Sequence, residues 1–413
     1  MTGPRRVLIV EPEGTSGNWH YAVKLSGALA EEGLEVGLAT LAPFEELPNR
    51  STVPVFPIGK QAPAEVEHLE QGRTYDLNAA RLNGSRNGSL VWPHLLSVQR
   101  FAYHVSKVRQ LRKVVRDYRP DIVHVQLPLG KLDFLYFRYF KSLGIRVVYT
   151  AFQPSPLTSR GSLFERLRYQ EADVILVHAS STVKQLIAGG IAERKIRSIT
   201  HGNFTDLCQP LDVAPEQAKR LLGLPVDARV VLFFGAIEPR KGLDLLIEAF
   251  ARLSRDDPKL HLVIAGFPNE DFAPYQERIR GSGAEDRVLL ALRWVPFAEM
   301  QNYFNPADAV VLPYRRISQS GVLQLAYAYA RPLVVTNVGG IAESVSQDGT
   351  GIVAAALDAE GIADAIRRLL SDRQEAERMG ARGRRLAGTK YSWSRIAREV
   401  AGIYQEVCAE PSS

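Results

Sequence analysis

A polar loop, Arg315-Arg316-Ile317-Ser318-Gln319-Ser320-Gly321, separates the short apolar run Ala309–Leu312, closed by Pro313, from a helical stretch, Val322–Ala330. Its small residues let backbone N–H groups at a helix start approach an anion, and the helix dipole favours a phosphate there. The same residues also suit an ordinary strand–helix turn. Lys241, with Arg240 beside it, follows the apolar run that ends at Gly235, and a cation just past a strand end can reach a phosphate. The other reading of Lys241 is a solvated lysine at a helix start, a placement the dipole disfavours. Cys208 and Cys408 are far apart and match no metal or redox spacing.

These residues need parallel strands to bring them together. In such a sheet the loop after a strand's C-terminal end faces the ligand crevice. Val7–Val10 reads as the first strand, and Glu13-Gly14-Thr15-Ser16-Gly17 as a turn that places Asn18, Trp19 and His20 at the sheet edge. Gly14 and Gly17 do not form the GxGxxG pattern, so a dinucleotide site is not supported. A helix from about Trp19 to Glu32 and a strand Glu35–Thr40 follow. Gln61 to Pro93 is polar and reads as an irregular excursion. Strands are expected at Ile122–Val125, Arg146–Thr150, Val174–Val177 and Ile196–Ile199, with helices between them. After a loose stretch, Thr205 to Asp227, a second βα series opens at Val230 and runs to an amphipathic tail helix, Ser394–Val407.

The chain has 413 residues, which predicts two domains or three, and its 46% hydrophobic and 23% charged content is that of a well-cored globular protein. Val7–Val10 is too short for a signal peptide, and no apolar run approaches a membrane span. The cysteine usage points to a reducing cytoplasm. The net charge of +6 is uneven: Arg100 to Arg119 holds seven Lys/Arg against one acid, Asp117. Phe134, Tyr136, Phe137, Tyr139 and Phe140 follow. This combination suits a peripheral contact with anionic lipid or an acidic acceptor, and equally a solvated helix over core aromatics. No recognition motif accompanies the charge, so nucleic acid is not an expected partner.

Phe233-Phe234-Gly235-Ala236-Ile237-Glu238-Pro239-Arg240-Lys241-Gly242-Leu243-Asp244 resembles the strand–loop–helix signature of the family 4 glycosyltransferases. Val338-Gly339-Gly340-Ile341-Ala342-Glu343-Ser344-Val345 is similar to a second segment of that family. Tyr391-Ser392-Trp393 looks like its C-terminal ending, and Ile199-Thr200-His201-Gly202-Asn203 is similar to its inter-domain loop. The likeness covers Val230–Val407 well and the N-terminal half in outline. It implies a GT-B fold: two Rossmann-like, doubly wound α/β domains facing across a cleft. Residues 1–205 would bind the acceptor and 206–226 would link. Residues 227–393 would bind the donor, and helix 394–413 would return to the first domain.

The resemblance implies retaining transfer from a nucleotide-diphosphate sugar, with no metal and no cofactor beyond that co-substrate. It assigns Lys241, Arg240 and His20 to catalysis. Gly235, Ser318, Gln319, Ser320, Gly321, Val322, His201 and Gly202 fall to the donor, and Gly17, Asn18, Trp19 and Phe152 to the acceptor. This chain departs from the family at several positions. Ala236, Ile237 and Glu238 stand where an arginine is usual, and Arg240 is the expected substitute. Ser318 and Ala326 replace a pair of glutamates, and Phe152 replaces a histidine; His20, His178 and His201 are the candidates to line the cleft instead, each equally readable as structural. Glu343 reads as a loop or helix-cap residue. These departures keep two other readings open: a catalytically weak GT-B protein that binds a sugar nucleotide or glycan for a partner, and a sugar-nucleotide epimerase.

Overall fold

The computed structural model describes residues 4–14, 16–42, 53–60, 93–130, 132–152, 154, 157, 163–206, 208 and 213–409. The excursion expected from Gln61 to Pro93 lies outside them except for Pro93, which begins a helix. The chain divides into two compact units. One holds Met1–Thr150, Leu163–Val174 and Ala401–Ser413, and the other holds Ala151–Ser162 and Ile175–Val400.

Among the described residues the first sheet has seven strands, ordered β3-β2-β1-β4-β5-β6-β7. They are β1 (Arg6–Val10), β2 (Glu35–Ala42), β3 (Val55–Lys60), β4 (Ile122–Val125), β5 (Arg146–Thr150), β6 (Val174–Val177) and β7 (Ile196–Ser198). β1 pairs in parallel with both β2 and β4, so the order reverses between β1 and β4. The intervening helices are α1 (Ser16–Glu31), α2 (Pro93–Tyr118), α3 (Asp133–Ser142), α4 (Leu163–Glu171) and α5 (Ser180–Ala188). β3 lies where sequence reasoning expected no element. Pro57 within it is tolerated because β3 is the end strand of the sheet.

Val7–Val10 and Ile122–Val125 are buried throughout, which is why they read as near-continuous apolar runs. His124 is the exception in this layer. Its ring nitrogens sit 2.6 Å from the Tyr404 hydroxyl and 2.7 Å from Thr150 Oγ1, and burial pulls its pKa down to about 3. The aromatics of α3 divide: Phe137 and Phe140 are fully buried core residues, whereas Phe134, Tyr136 and Tyr139 are half-buried.

The second sheet is ordered β10-β9-β8-β11-β12-β13. It comprises β8 (Arg229–Phe234), β9 (Leu260–Ala265), β10 (Val288–Ala291), β11 (Ala309–Leu312), β12 (Leu333–Val335) and β13 (Gly351–Val353). All five neighbouring pairs are parallel. The helices are α6 (Pro215–Leu221), α7 (Leu243–Asp256), α8 (Ala273–Gly281), α9 (Phe297–Phe304), α10 (Gly321–Ala328), α11 (Gly339–Asp348), α12 (Ala359–Ser371), α13 (Arg373–Gly388) and α14 (Trp393–Ala409). The apolar faces of α7 and α12 cover one side, packing Leu246, Phe250 and Ile366 on Val231, Phe233 and Ile264. Strand order reverses between β8 and β11, so the loops after these two strands are neighbours at a switch point, where open α/β sheets bind ligands.

Candidate functional site

The loop leaving β8 turns at Gly235, whose φ of +98° is a conformation L side chains rarely adopt. A Cβ there would lie 3.3 Å from Val322 Cγ2 and 3.4 Å from Lys241 Nζ, so bare backbone faces both side chains. Lys241 ends a single 3-10 turn, Pro239–Lys241, and is only 9% exposed, which contradicts the solvated reading. Its ammonium stands 5.9 Å from the centre of the Tyr314 ring. Burial pulls its pKa down to about 8, against the Glu238 carboxylate, while Arg240 adds to the lowering. Burial pushes Glu238 up, but Arg240, Lys241 and a hydrogen bond from Asn269 together hold it below its ordinary value.

Arg240 pairs with Glu238 at 2.7 Å, and its Nη1 is buried with no hydrogen-bond partner among the described residues. The backbone here is fixed by Arg315. Its N–H donates to the Arg240 carbonyl at 2.8 Å, and its guanidinium grips Asp244 through two 2.7 Å bonds. The loop after β11 is therefore tied to the loop after β8 before any ligand arrives.

That second loop ends in a capped helix. Ser320 is the N-cap of α10, and its Oγ accepts from the Val322 N–H at 3.2 Å and lies 3.3 Å from the Tyr314 hydroxyl. Burial pushes the Tyr314 phenol up to about 12, so it stays neutral. α10 starts at Gly321, one residue before the expected Val322, because Ser320 rather than Gly321 leaves the helical conformation. Ser318 accepts at its carbonyl from the Gly340 N–H at 2.9 Å and at its Oγ from Thr182 at 3.3 Å. Gln319 donates to the His178 carbonyl at 3.1 Å. Glu343 is inside α11 and accepts from Ser180 Oγ at 2.6 Å; it is neither a loop nor a cap residue.

An aromatic cluster adjoins this loop. Phe152 lies 5.2 Å from His178 and 6.4 Å from His201 between ring centres, and His201 lies 6.0 Å from Phe204. Phe204 in turn packs over Gly321. His201 Nδ1 donates to the Gly202 carbonyl at 2.9 Å, and burial pulls its pKa down to about 4, so it is neutral at physiological pH. A Cβ at Gly202 would meet the Trp393 indole at 2.3 Å, so this backbone needs glycine for close packing. Trp393 Nε1 donates to the Asn203 carbonyl at 2.8 Å, and Asn203 Nδ2 donates to the carbonyls of Ala387 and Tyr391.

The second unit thus brings together Gly235, Arg240, Lys241, Ser320, Gly321 and Val322 at the switch point, with Ser318, Gln319, Phe152, His201 and Gly202 around them. Gly17, Asn18, Trp19 and His20 belong to the first unit, in the opening turn of α1. There Trp19 is fully buried and His20 nearly so, while Gly17 is exposed. Sequence reasoning missed Tyr314, Glu238 and Arg315. The only signal for Tyr314 was its place directly after the Pro313 that closes β11, and the Arg315–Asp244 pairing spans too much chain to be read.

The chain matches a family model described as glycosyl transferases group 1 over residues 216–386, and one described as Glycosyltransferase Family 4 over residues 16–206. The D-inositol 3-phosphate glycosyltransferase of Corynebacterium aurimucosum is 30% identical over 269 residues, 63% of each chain. That of Geodermatophilus obscurus is 27% identical over 409 residues, covering 94% of this chain and 84% of the relative. The matches span only 54% to 63% of the length of the first five such relatives. Among solved structures, the sucrose-phosphate synthase of Thermosynechococcus elongatus superposes with a TM-score of 0.73 at 18% identity, covering 98% of this chain and 99% of the other. Anabaena HepE in complex with UDP-glucose gives 0.71 at 15% identity, covering 97% and 99%.

Proposed function

We propose that this chain, which belongs to the group 1 glycosyltransferases of family 4 and has the GT-B fold, moves a sugar from a nucleoside-diphosphate donor to a hydroxyl-bearing acceptor with retention. The observation that carries this reading is the buried Lys241 ammonium beside the bare backbone of Gly235 and the N-terminus of α10. Breaking the anomeric C–O bond leaves its electron pair on the diphosphate. A fixed cation and helix-start N–H groups then meet that charge in a site already partly stripped of water.

In this reading Lys241 and Arg240 stabilise the leaving diphosphate. Gly235, Ser318, Gln319, Ser320, Gly321 and Val322 supply backbone close to the donor, with His201 and Gly202 behind them. Because Lys241 has a pKa near 8, an arriving diphosphate favours its protonated form and binding is coupled to proton uptake above that pH. Phe152, and Gly17 and Asn18 of the first unit, are kept for the acceptor and His20 for catalysis, whereas Trp19, fully buried, is a core residue. HepE was solved with UDP-glucose and the curated relatives are named for D-inositol 3-phosphate, so both compounds belong in the first trials.

Calorimetric titration of the full chain with UDP, ADP and GDP tests the donor site. At least one should bind, and Lys241→Ala should weaken it at least tenfold while circular dichroism stays unchanged. Binding of none of the three, or equal binding by the variant, would overturn the assignment.

A further inference from the structure

We propose that the first unit carries a docking surface for an anionic lipid bilayer, built from α2, α3 and α4. Four large apolar side chains there face water: Leu132 (49% exposed), Leu135 (47%), Leu163 (56%) and Phe164 (39%). They form one patch, because α3 packs against α4 with the Phe134 and Phe164 rings stacked 6.3 Å apart. Leu132, the N-cap of α3, and Leu135 and Tyr139 within the helix recur at helical spacing along one side. Exposed apolar surface concentrated in this way marks an interaction site more often than scattered residues do.

The charge around the patch identifies the occupant. Arg109, Arg112 and Arg116 follow the same spacing along α2, and all three are exposed. The Arg112 guanidinium lies 4.2 Å from the centre of the Tyr139 ring, which sets this arginine stripe beside the apolar face of α3. None of the three makes an ion pair among the described residues. On the other flank Arg138 sits 5.7 Å from the Phe134 ring centre. Most acids of this region are already engaged: Asp133 is fully buried on Arg168 at 2.9 Å, Glu171 holds Arg138 at 2.7 Å, Asp173 holds Lys141 at 3.6 Å, and Glu165 accepts from the Tyr169 hydroxyl at 3.0 Å, while Asp117 of α2 is exposed.

An apolar centre bordered by arginines seated on aromatic rings suits the headgroup boundary of a membrane. There leucine and phenylalanine enter the acyl region, while arginine stems lie along it with their guanidinium groups at the phosphates. Near an anionic leaflet each arginine contributes about fivefold in affinity. The contact involves Leu132, Leu135, Leu163 and Phe164 rather than Phe137 and Phe140, which are committed to the core.

Co-sedimentation of the full chain, without any nucleotide, tests the surface. Vesicles of phosphatidylcholine alone are compared with an equal mixture of phosphatidylcholine and phosphatidylglycerol, at low and high salt. Binding should be confined to the anionic vesicles and should fall at high salt. Arg112→Gln with Arg116→Gln should lower it about tenfold or more. Leu135→Glu with Phe164→Glu should abolish it, with circular dichroism unchanged in both double variants. No binding, equal binding to both vesicle types, binding insensitive to either pair, or self-association through the patch in the absence of lipid would each overturn the proposal.

Discussion

At the scale of single residues, Lys241 shows a conflict between stability and function. Its folded pKa of about 8 lies below the ordinary 10.5, so folding disfavours its charged form. The sign follows: the penalty is full below about pH 8 and fades as pH rises towards 10.5. Lys241→Met should therefore stabilise the protein at neutral pH by on the order of 1–3 kcal/mol while removing donor turnover, and urea unfolding beside a kinetic assay measures both. Glu11 behaves in the opposite sense. It is fully buried; burial pushes its carboxyl up to about 8, partly offset by the Gly14 N–H. Its stability contribution is complete below about pH 4.5 and is lost as pH climbs to about 8, so Glu11→Gln should flatten the unfolding midpoint across that window. Lys241 was legible because a cation just past an apolar run has few structural uses. Glu11 was not, because an acid after a strand reads as solvated until the Thr40 hydroxyl of the next strand is seen over it.

At the scale of elements, the start of α10 depends on one side chain. Ser320→Ala removes the oxygen that caps Val322 N and touches Tyr314, and should cost about 0.5–2 kcal/mol in chemical denaturation. Donor affinity should fall with it, since the N–H groups it orders are those proposed to meet the phosphate. Strand–helix alternation was readable in both halves because parallel strands buried on both faces are unbroken apolar runs. β3 was not readable: Val55–Lys60 contains Pro57 and Gly59, and only its position at the end of the sheet excuses them. Glu343 read as a loop or helix-cap residue, yet it lies inside α11, which begins at Gly339; Gly340 there bonds back to the Ser318 carbonyl, a contact that local sequence does not encode.

At the scale of the whole molecule, two parallel sheets follow from composition and pattern, whereas the bonds that join distant chain segments do not. The His124–Tyr404 bond joins residues 280 positions apart and ties α14 to β4 within the first unit. Tyr404→Phe should leave a buried imidazole nitrogen without its partner and cost about 1–3 kcal/mol, read from thermal or urea unfolding. The His178–His201–Phe204 cluster and the Trp393 bond to Asn203 were equally invisible, since each needs the folded chain to bring its members together. The central claim, that the switch point of the second sheet activates a nucleoside-diphosphate sugar through Lys241, is tested most directly by proton NMR. The full chain is followed with a panel of nucleotide sugars, with and without D-inositol 3-phosphate. The account predicts that one donor releases its nucleoside diphosphate, that the new anomeric signal keeps the donor's configuration, and that Lys241→Ala slows release about 10²–10³-fold. Consumption of no donor, or equal rates for wild type and Lys241→Ala, would contradict it.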